Sequence, residues 1–339
     1  MDRRGALAGL AGLAMTPLLR SAHAEASEPA FGAIRRLDPE LDRIVAPDAA
    51  VRRLASGFRW AEGPVWVPAE SCLLFGDPGR NTVHRWSAKA GLEVFLSPSG
   101  LQSPVPAGIR EPGLNGLALD TGGRLIAADS GTRAIVRIDI ASRNRETLAD
   151  RFEGKRFNSP NDLCVSKSGA IYFTDPTYGL AEGDESPLRE LPWCGLYRLS
   201  PDGVLHLLDR RHRRPNGVAL SPDERTLYLA LSDEKQPEVL AYTLSAEGIA
   251  GEPRRFLDMR ADLAAGRPGL PDGIKVAATG HVFATGPGGV HVCTAQGRRL
   301  GVIETGKAVA NCAIGQGGKS LFLTSSDSLA MVPLANDQP

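Results

Sequence analysis

Short runs of alternating apolar and polar residues, broken by turns rich in Gly, Asp and Pro, fill most of the chain. Such runs are too short for amphipathic helices and have the period of β-strands. One arrangement recurs six times. A polar residue, often after Pro and before Gly or Asp, opens an apolar strand; a turn follows, then a second strand that often ends in Asp or Ser. The opening residues are Glu62, Asn115, Asn161, Asn216, Asp272 and Asn311, and the second strands lie in 73–77, 123–129, 169–175, 225–230, 280–285 and 319–324.

The openings are 53, 46, 55, 56 and 39 residues apart. Four antiparallel strands with their turns need about 40–50 residues. Third and fourth strands are visible at 82–86 and 93–96, at 134–138 and 146–148, and at 195–199 and 205–208. The pattern therefore predicts an all-β chain, a six-bladed β-propeller with a central metal-binding channel. A six-repeat solenoid fits less well, because solenoid repeats are usually shorter. Residues 35–54 precede the first opening and are expected to supply the outer strand of the last blade. Closing the ring in this way removes open sheet edges.

In a propeller the innermost strands line the axis, so residues at equivalent repeat positions converge there. All six opening residues carry side-chain oxygens. A lone Asn-Gly is ordinary turn chemistry. Six oxygen-bearing residues at one repeat position are a different signal, since unpaired carboxylates and amides are costly to bury. A hard divalent cation satisfies them, and Ca²⁺ takes roughly six to eight oxygen ligands. No His or Cys occupies these positions, which argues against a zinc or copper site.

Composition narrows the function further. The chain has 339 residues, formal net charge +0, and 42% hydrophobic residues, so it is neither disordered nor built to hold nucleic acid. Arg3 and Arg4, an apolar run at 5–15 and Ala22-His23-Ala24 read as an export signal of twin-arginine or Sec type. That run is too short to span a membrane. The expected mature chain, 25–339, is a single propeller domain, periplasmic or secreted. Five cysteines are an odd number with no C-x-x-C spacing, so a zinc or redox motif is not indicated. The six histidines show no metal spacing, and no G-x-S-x-G elbow is present.

Five segments carry a family resemblance: Glu62-Gly63-Pro64-Val65-Trp66, Ser159-Pro160-Asn161-Asp162-Leu163, Tyr172-Phe173-Thr174-Asp175-Pro176, Arg214-Pro215-Asn216-Gly217 and Leu270-Pro271-Asp272-Gly273-Ile274. From about residue 50 to residue 330 the chain resembles the gluconolactonase/SMP-30 family of sugar lactonases. The resemblance implies a six-bladed propeller, an axial divalent cation and lactone hydrolysis. It implies Glu62, Asn161, Asn216 and Asp272 as metal ligands, with Asn115 and Asn161 touching substrate. Ca²⁺ is the expected ion, with Mg²⁺, Mn²⁺ or Zn²⁺ as alternatives. Some members place an arginine two residues before the third-unit asparagine to grip sugar hydroxyls; Ser159 stands there, which puts polyol specificity in question.

Lactone opening needs a base for the attacking water, and Asp272 is the first candidate and Asp162 the second. Loops 101–113 and 179–193 are expected to wall the channel mouth, with Arg189 and Trp193 as candidate substrate contacts. The basic run 210–214 reads as a solvated turn. Two other functions compete: a propeller hydrolase of phosphotriesters or aryl esters, and a non-catalytic binding propeller. Apolar loops at the mouth would favour the former. The acidic pair Glu62 and Asp272 argues against the latter.

Overall fold

The computed structural model describes residues 31–102 and 104–335. The export signal expected at 1–24 lies outside them. Six antiparallel sheets follow one another in chain order, and their innermost strands are Glu62–Val67, Leu114–Leu119, Leu163–Val165, Pro215–Leu220, Ile274–Val276 and Asn311–Gly315. Each inner strand touches the next, and the last touches the first, so the six blades close into a ring.

The N-terminal segment staples the last two blades together. Arg52–Ser56 pairs with Ser328–Pro333 and forms the outer strand of blade six. This part of the expectation for 35–54 holds. The start of that segment behaves differently: Ala33–Arg36 pairs with Arg299–Glu304 and adds a fifth strand to blade five. Between the two strands, Leu41, Ile44 and Val45 fill the wedge between blades five and six. A single outer strand was the simpler reading; the apolar residues of the short turn at Pro39–Arg43 and just after it are what draw the chain across both blades.

The core is six wedges, one between each pair of neighbouring blades. Alternation sorts each strand's side chains into two of them. In blade three, Phe173 packs towards blade two while Tyr172 packs towards blade four. In blade one, Phe75 faces blade six while Cys72 and Leu74 face blade two. Sheets covered on both faces have middle strands that are apolar almost throughout, as in Cys72–Asp77 and Leu125–Asp129. All five cysteines are free thiols, and Cys72, Cys164, Cys293 and Cys312 pack in these wedges. Among the described residues no helix is long and apolar enough to cross a membrane.

Near the axis the inner strands approach each other closely. A Cβ at Gly63 would overlap the Asn115 carbonyl, and one at Gly217 would overlap the Asp272 carbonyl. One at Gly273 would overlap the Asn311 side chain. Asn-Gly and Asp-Gly here mark blade-to-blade contact, and only Gly63 of these has positive φ. Gly217→Ala should therefore destabilise the protein by about 2–3 kcal/mol through overpacking against a backbone that cannot yield. Urea unfolding measures this directly, and a variant as stable as the parent would rule out the close approach.

Candidate active site

The inner strands do not start in plain register. Pairing slips by one residue between Glu62 and Val65, between Leu114 and Leu117, and between Pro215 and Val218. Such bulges re-aim side chains at functional ends of sheets. Here they turn the opening residues towards one end of the channel. Glu62, Asn115, Asn161, Asn216 and Asp272 all line a single cavity of about 900 Å³ at that end.

The aspartates that end the second strands explain how the openings are held. Asp77 is fully buried and accepts hydrogen bonds from the backbone N–H of Arg59 (2.8 Å) and Trp60 (3.3 Å), just ahead of Glu62. Asp175 does the same for Asn158 and Ser159, both at 2.8 Å, just ahead of Asn161. Burial raises the Asp175 carboxyl to about 7, against the pull of those two N–H groups. In blade four a serine takes this place: Asn216 Nδ2 donates to Ser232 Oγ at 2.9 Å, and Ser232 Oγ donates to the Pro271 carbonyl beside Asp272.

Two of the predicted residues lie off the cavity wall. Asp162 is almost fully buried; its Oδ1 accepts from Leu163 N at 2.8 Å and its Oδ2 from Asn311 Nδ2 at 3.3 Å. Asn311 Oδ1 in turn accepts from Cys312 N (2.9 Å) and Lys275 Nζ (3.1 Å). This placement, off the cavity wall with both carboxylate oxygens hydrogen-bonded, suits Asp162 to brace the floor rather than to act as the second candidate base.

Crowded oxygens give the site its electrostatics. Burial raises the Glu62 carboxyl to about 7, helped by the charges of Asp162 and Glu111, while Gly63 N–H at 2.7 Å opposes the shift. Asp272 is held well above the usual carboxylate range by its enclosure and by the charges of Glu62, Asp162 and Glu111. Asn216 Oδ1 is buried with no hydrogen-bond partner. Among the described residues no three His, Cys, Asp or Glu side chains cluster as a metal cage; the ring's other oxygens are amides. An orphaned amide oxygen beside two mutually repelling carboxylates is a donor set that a hard divalent cation would satisfy.

The loops were only partly anticipated. Loop 101–113 does reach the cavity, through Arg110 and Glu111. From the other loop Arg189 and Trp193 do not line it: Arg189 donates to the carbonyls of Leu191 and Asp184, and Trp193 donates to the Tyr197 hydroxyl at 2.9 Å. The basic run is more than a solvated turn, since Arg213 and Arg214 are in the cavity wall. Both donate to the Asp184 carboxylate at 2.9 Å, which ties the two loops together. Burial opposes charge on Asp184, but Arg214, Arg213 and Thr177 outweigh it and hold the carboxyl well below its ordinary value. Arg214 carries a sequence signal, standing two residues before Asn216; Glu111 and Tyr178 carry none, because they have no repeat equivalents.

A family model for the SMP-30/Gluconolactonase/LRE-like region matches residues 60–327. The chain belongs to this family. It is 43% identical to a gluconolactonase of Zymomonas mobilis over 89% of this chain and 86% of that one. A pentonolactonase of Haloferax volcanii is 26% identical, covering 81% of this chain and 84% of its own. The solved structure of a gluconolactonase from Xanthomonas campestris superposes with a TM-score of 0.77 at 33% identity, covering 91% of this chain and 98% of that one. A luciferin-regenerating enzyme only 16% identical shares the fold, with a TM-score of 0.66 over 84% of this chain and 95% of its own.

The Glu62 shift sets a pH dependence. Without a cation the folded protein keeps a proton on Glu62 up to about pH 7, whereas the unfolded chain loses it near 4.5. Folded protein then binds more protons, so stability should fall as pH rises from about 4.5 to 7. Saturating Ca²⁺ should reduce that slope to the part that Asp175 contributes and raise the melting temperature at pH 7. Melting curves at pH 5, 6 and 7.5 with and without the ion check this; flat curves in both media contradict it.

Proposed function

We propose that the protein hydrolyses a sugar lactone, opening a gluconolactone-like ring to the aldonic acid. The observation that carries this reading is the ring of Glu62, Asn161, Asn216 and Asp272 oxygens on the floor of one open cavity, with Asn216 Oδ1 unsatisfied. Identity to gluconolactonases over most of the chain supports it. The enzyme class is a carboxylic ester hydrolase. The cavity wall is mixed, with Leu263, Leu270 and Val309 beside Glu111, Arg213 and Arg214; identity to lactonases supports a lactone over an aryl ester or phosphotriester.

Those four floor residues would hold the cation. When bound, it supplies polarisation of the lactone carbonyl and stabilisation of the negative charge that develops there. Oxygen-only ligands favour Ca²⁺, with Mg²⁺, Mn²⁺ and Zn²⁺ as substitutes. Asp272 is the base: its carboxylate lies on the floor of the cavity that the lactone enters, within reach of water activated beside the cation, whose proton it takes. That proton then passes to the ring oxygen as the C–O bond breaks. Asp162 braces the floor from below, and the Asn115 and Asn161 amides orient the lactone.

A pH-stat assay on a panel of small lactones tests the reading. Activity on a sugar lactone should vanish with chelator and return with added Ca²⁺. Asp272→Asn should lower kcat at least about a hundredfold, in the range of a lost general base. Full activity in that variant would remove Asp272 from its role.

We propose too that the chain is exported, and that 25–339 forms the mature propeller, periplasmic or secreted. The support is Arg3-Arg4, the apolar run after it and Ala22-His23-Ala24. N-terminal sequencing of protein from a bacterial periplasm should start at Glu25, and replacing Arg3 and Arg4 by lysine should block a twin-arginine route. An intact Met1 on cytoplasmic protein would refute export.

A further inference from the structure

The floor of the cavity accounts for carbonyl chemistry but not for which lactone is accepted. The position from which an arginine could have gripped sugar hydroxyls is unusable here. Ser159 is buried, its hydroxyl donates to the Pro176 carbonyl at 2.7 Å and accepts from Gly179 N at 2.9 Å, and it does not line the cavity. Recognition of a polyol must come from elsewhere on the wall.

Glu111 has the required features. It lines the cavity, beside the Asn115 amide that hydrogen-bonds its carboxyl. Its Oε2 is buried and has no hydrogen-bond partner. The backbone around it is fixed. Arg110 N and Glu111 N donate to the Gly179 carbonyl at 2.8 and 3.3 Å. Leu101 N donates to the Pro112 carbonyl at 2.8 Å, and Gly113 N to the Pro78 carbonyl at 3.0 Å. The backbone that carries the side chain is therefore pinned to both neighbouring loops. A fixed, buried acceptor without a donor is costly. Ring hydroxyls are donors that an unsubstituted lactone lacks.

We propose that Glu111 is a specificity-determining residue, whose carboxylate accepts a hydrogen bond from a ring hydroxyl of a polyhydroxylated lactone. The inference rests on the lactonase reading and narrows its substrate class. A site built to hydrogen-bond a hydroxyl discriminates strongly against the analogue lacking it, because its own polar group is left unpaired. Removing the acceptor should erase that discrimination.

The experiment compares glucono-δ-lactone with δ-valerolactone, which has the same ring and no hydroxyls. kcat/KM is measured on both, with saturating Ca²⁺, for the unmodified protein, Glu111→Gln and Glu111→Met. The ratio of the two values should favour the hydroxylated ring by at least about a hundredfold in the unmodified protein. It should fall about tenfold in Glu111→Gln and further in Glu111→Met. A ratio unchanged in both variants overturns the inference, whatever happens to absolute rates, because a structural or general catalytic role lowers both substrates together. Ca²⁺ binding abolished in Glu111→Gln by calorimetry, beyond the modest weakening that losing a nearby negative charge brings, also overturns it, by moving Glu111 into the cation's ligand set. If the unmodified protein opens neither lactone, the lactonase reading fails separately. Binding of 1,5-anhydroglucitol, a cyclic polyol with no carbonyl, then decides by saturation-transfer NMR. Signal lost in Glu111→Met supports the hydroxyl contact, and equal signal in both proteins rejects it.

Discussion

Neighbouring inner strands meet at the channel with no room for a Cβ, and the site depends on that approach. Gly63, Gly116, Gly217 and Gly273 each lie against the next blade's opening residue or the residue beside it. The glycine lets the strands close in, and the one-residue register slips in blades one, two and four tilt the preceding side chain out of the sheet. Five oxygen-bearing side chains then reach one small floor. A looser ring would leave these oxygens solvated and independent of one another.

Close approach also creates the charge problem that gives the site its chemistry. Glu62 raises the proton affinity of Asp272, and Asp162 and Glu111 raise both. The underside is built so that Asp162 stays an acceptor. Lys275 Nζ and Cys312 N can only donate, so they fix the Asn311 amide with its oxygen towards them and its NH₂ towards Asp162. Leu163 N fills the other carboxylate oxygen. Every hydrogen bond in this chain points towards Asp162. Carboxylates and amide oxygens crowded in this way are a donor set that a cation above them would satisfy.

The repeat was legible because every blade solves the same problem with the same residues. Period-two strands, their spacing and the six opening positions follow from alternation and from the need for oxygen on the axis. The pairs Asn-Gly and Asp-Gly were visible, but their cause was not: as isolated dipeptides they read as turns, and only the neighbouring blade shows that a side chain is excluded. Parts of the chain outside the repeat were harder. The split of the N-terminal segment between two blades depends on Leu41 and Ile44 finding a wedge that no local pattern reveals. The basic run at 210–214 looked like a solvated turn because its partner, Asp184, is about 30 residues away in sequence, on another loop.

Repeat and insertion thus divide the work. The strands build a floor whose residues constrain one another through the axis, so a change at Asn216 is felt at Ser232 and Pro271. The wall is assembled from loops fastened to each other, by Asp184 to Arg213 and Arg214 on one side and by Gly179 to Arg110 and Glu111 on the other. Both fastenings use residues 179–184, so one insertion in blade three sets the position of two others. Chemistry common to lactones can stay in the floor, where the repeat protects it. Substrate choice can reside in the wall, where a residue such as Glu111 lies outside the repeat and reaches the axis only through its charge.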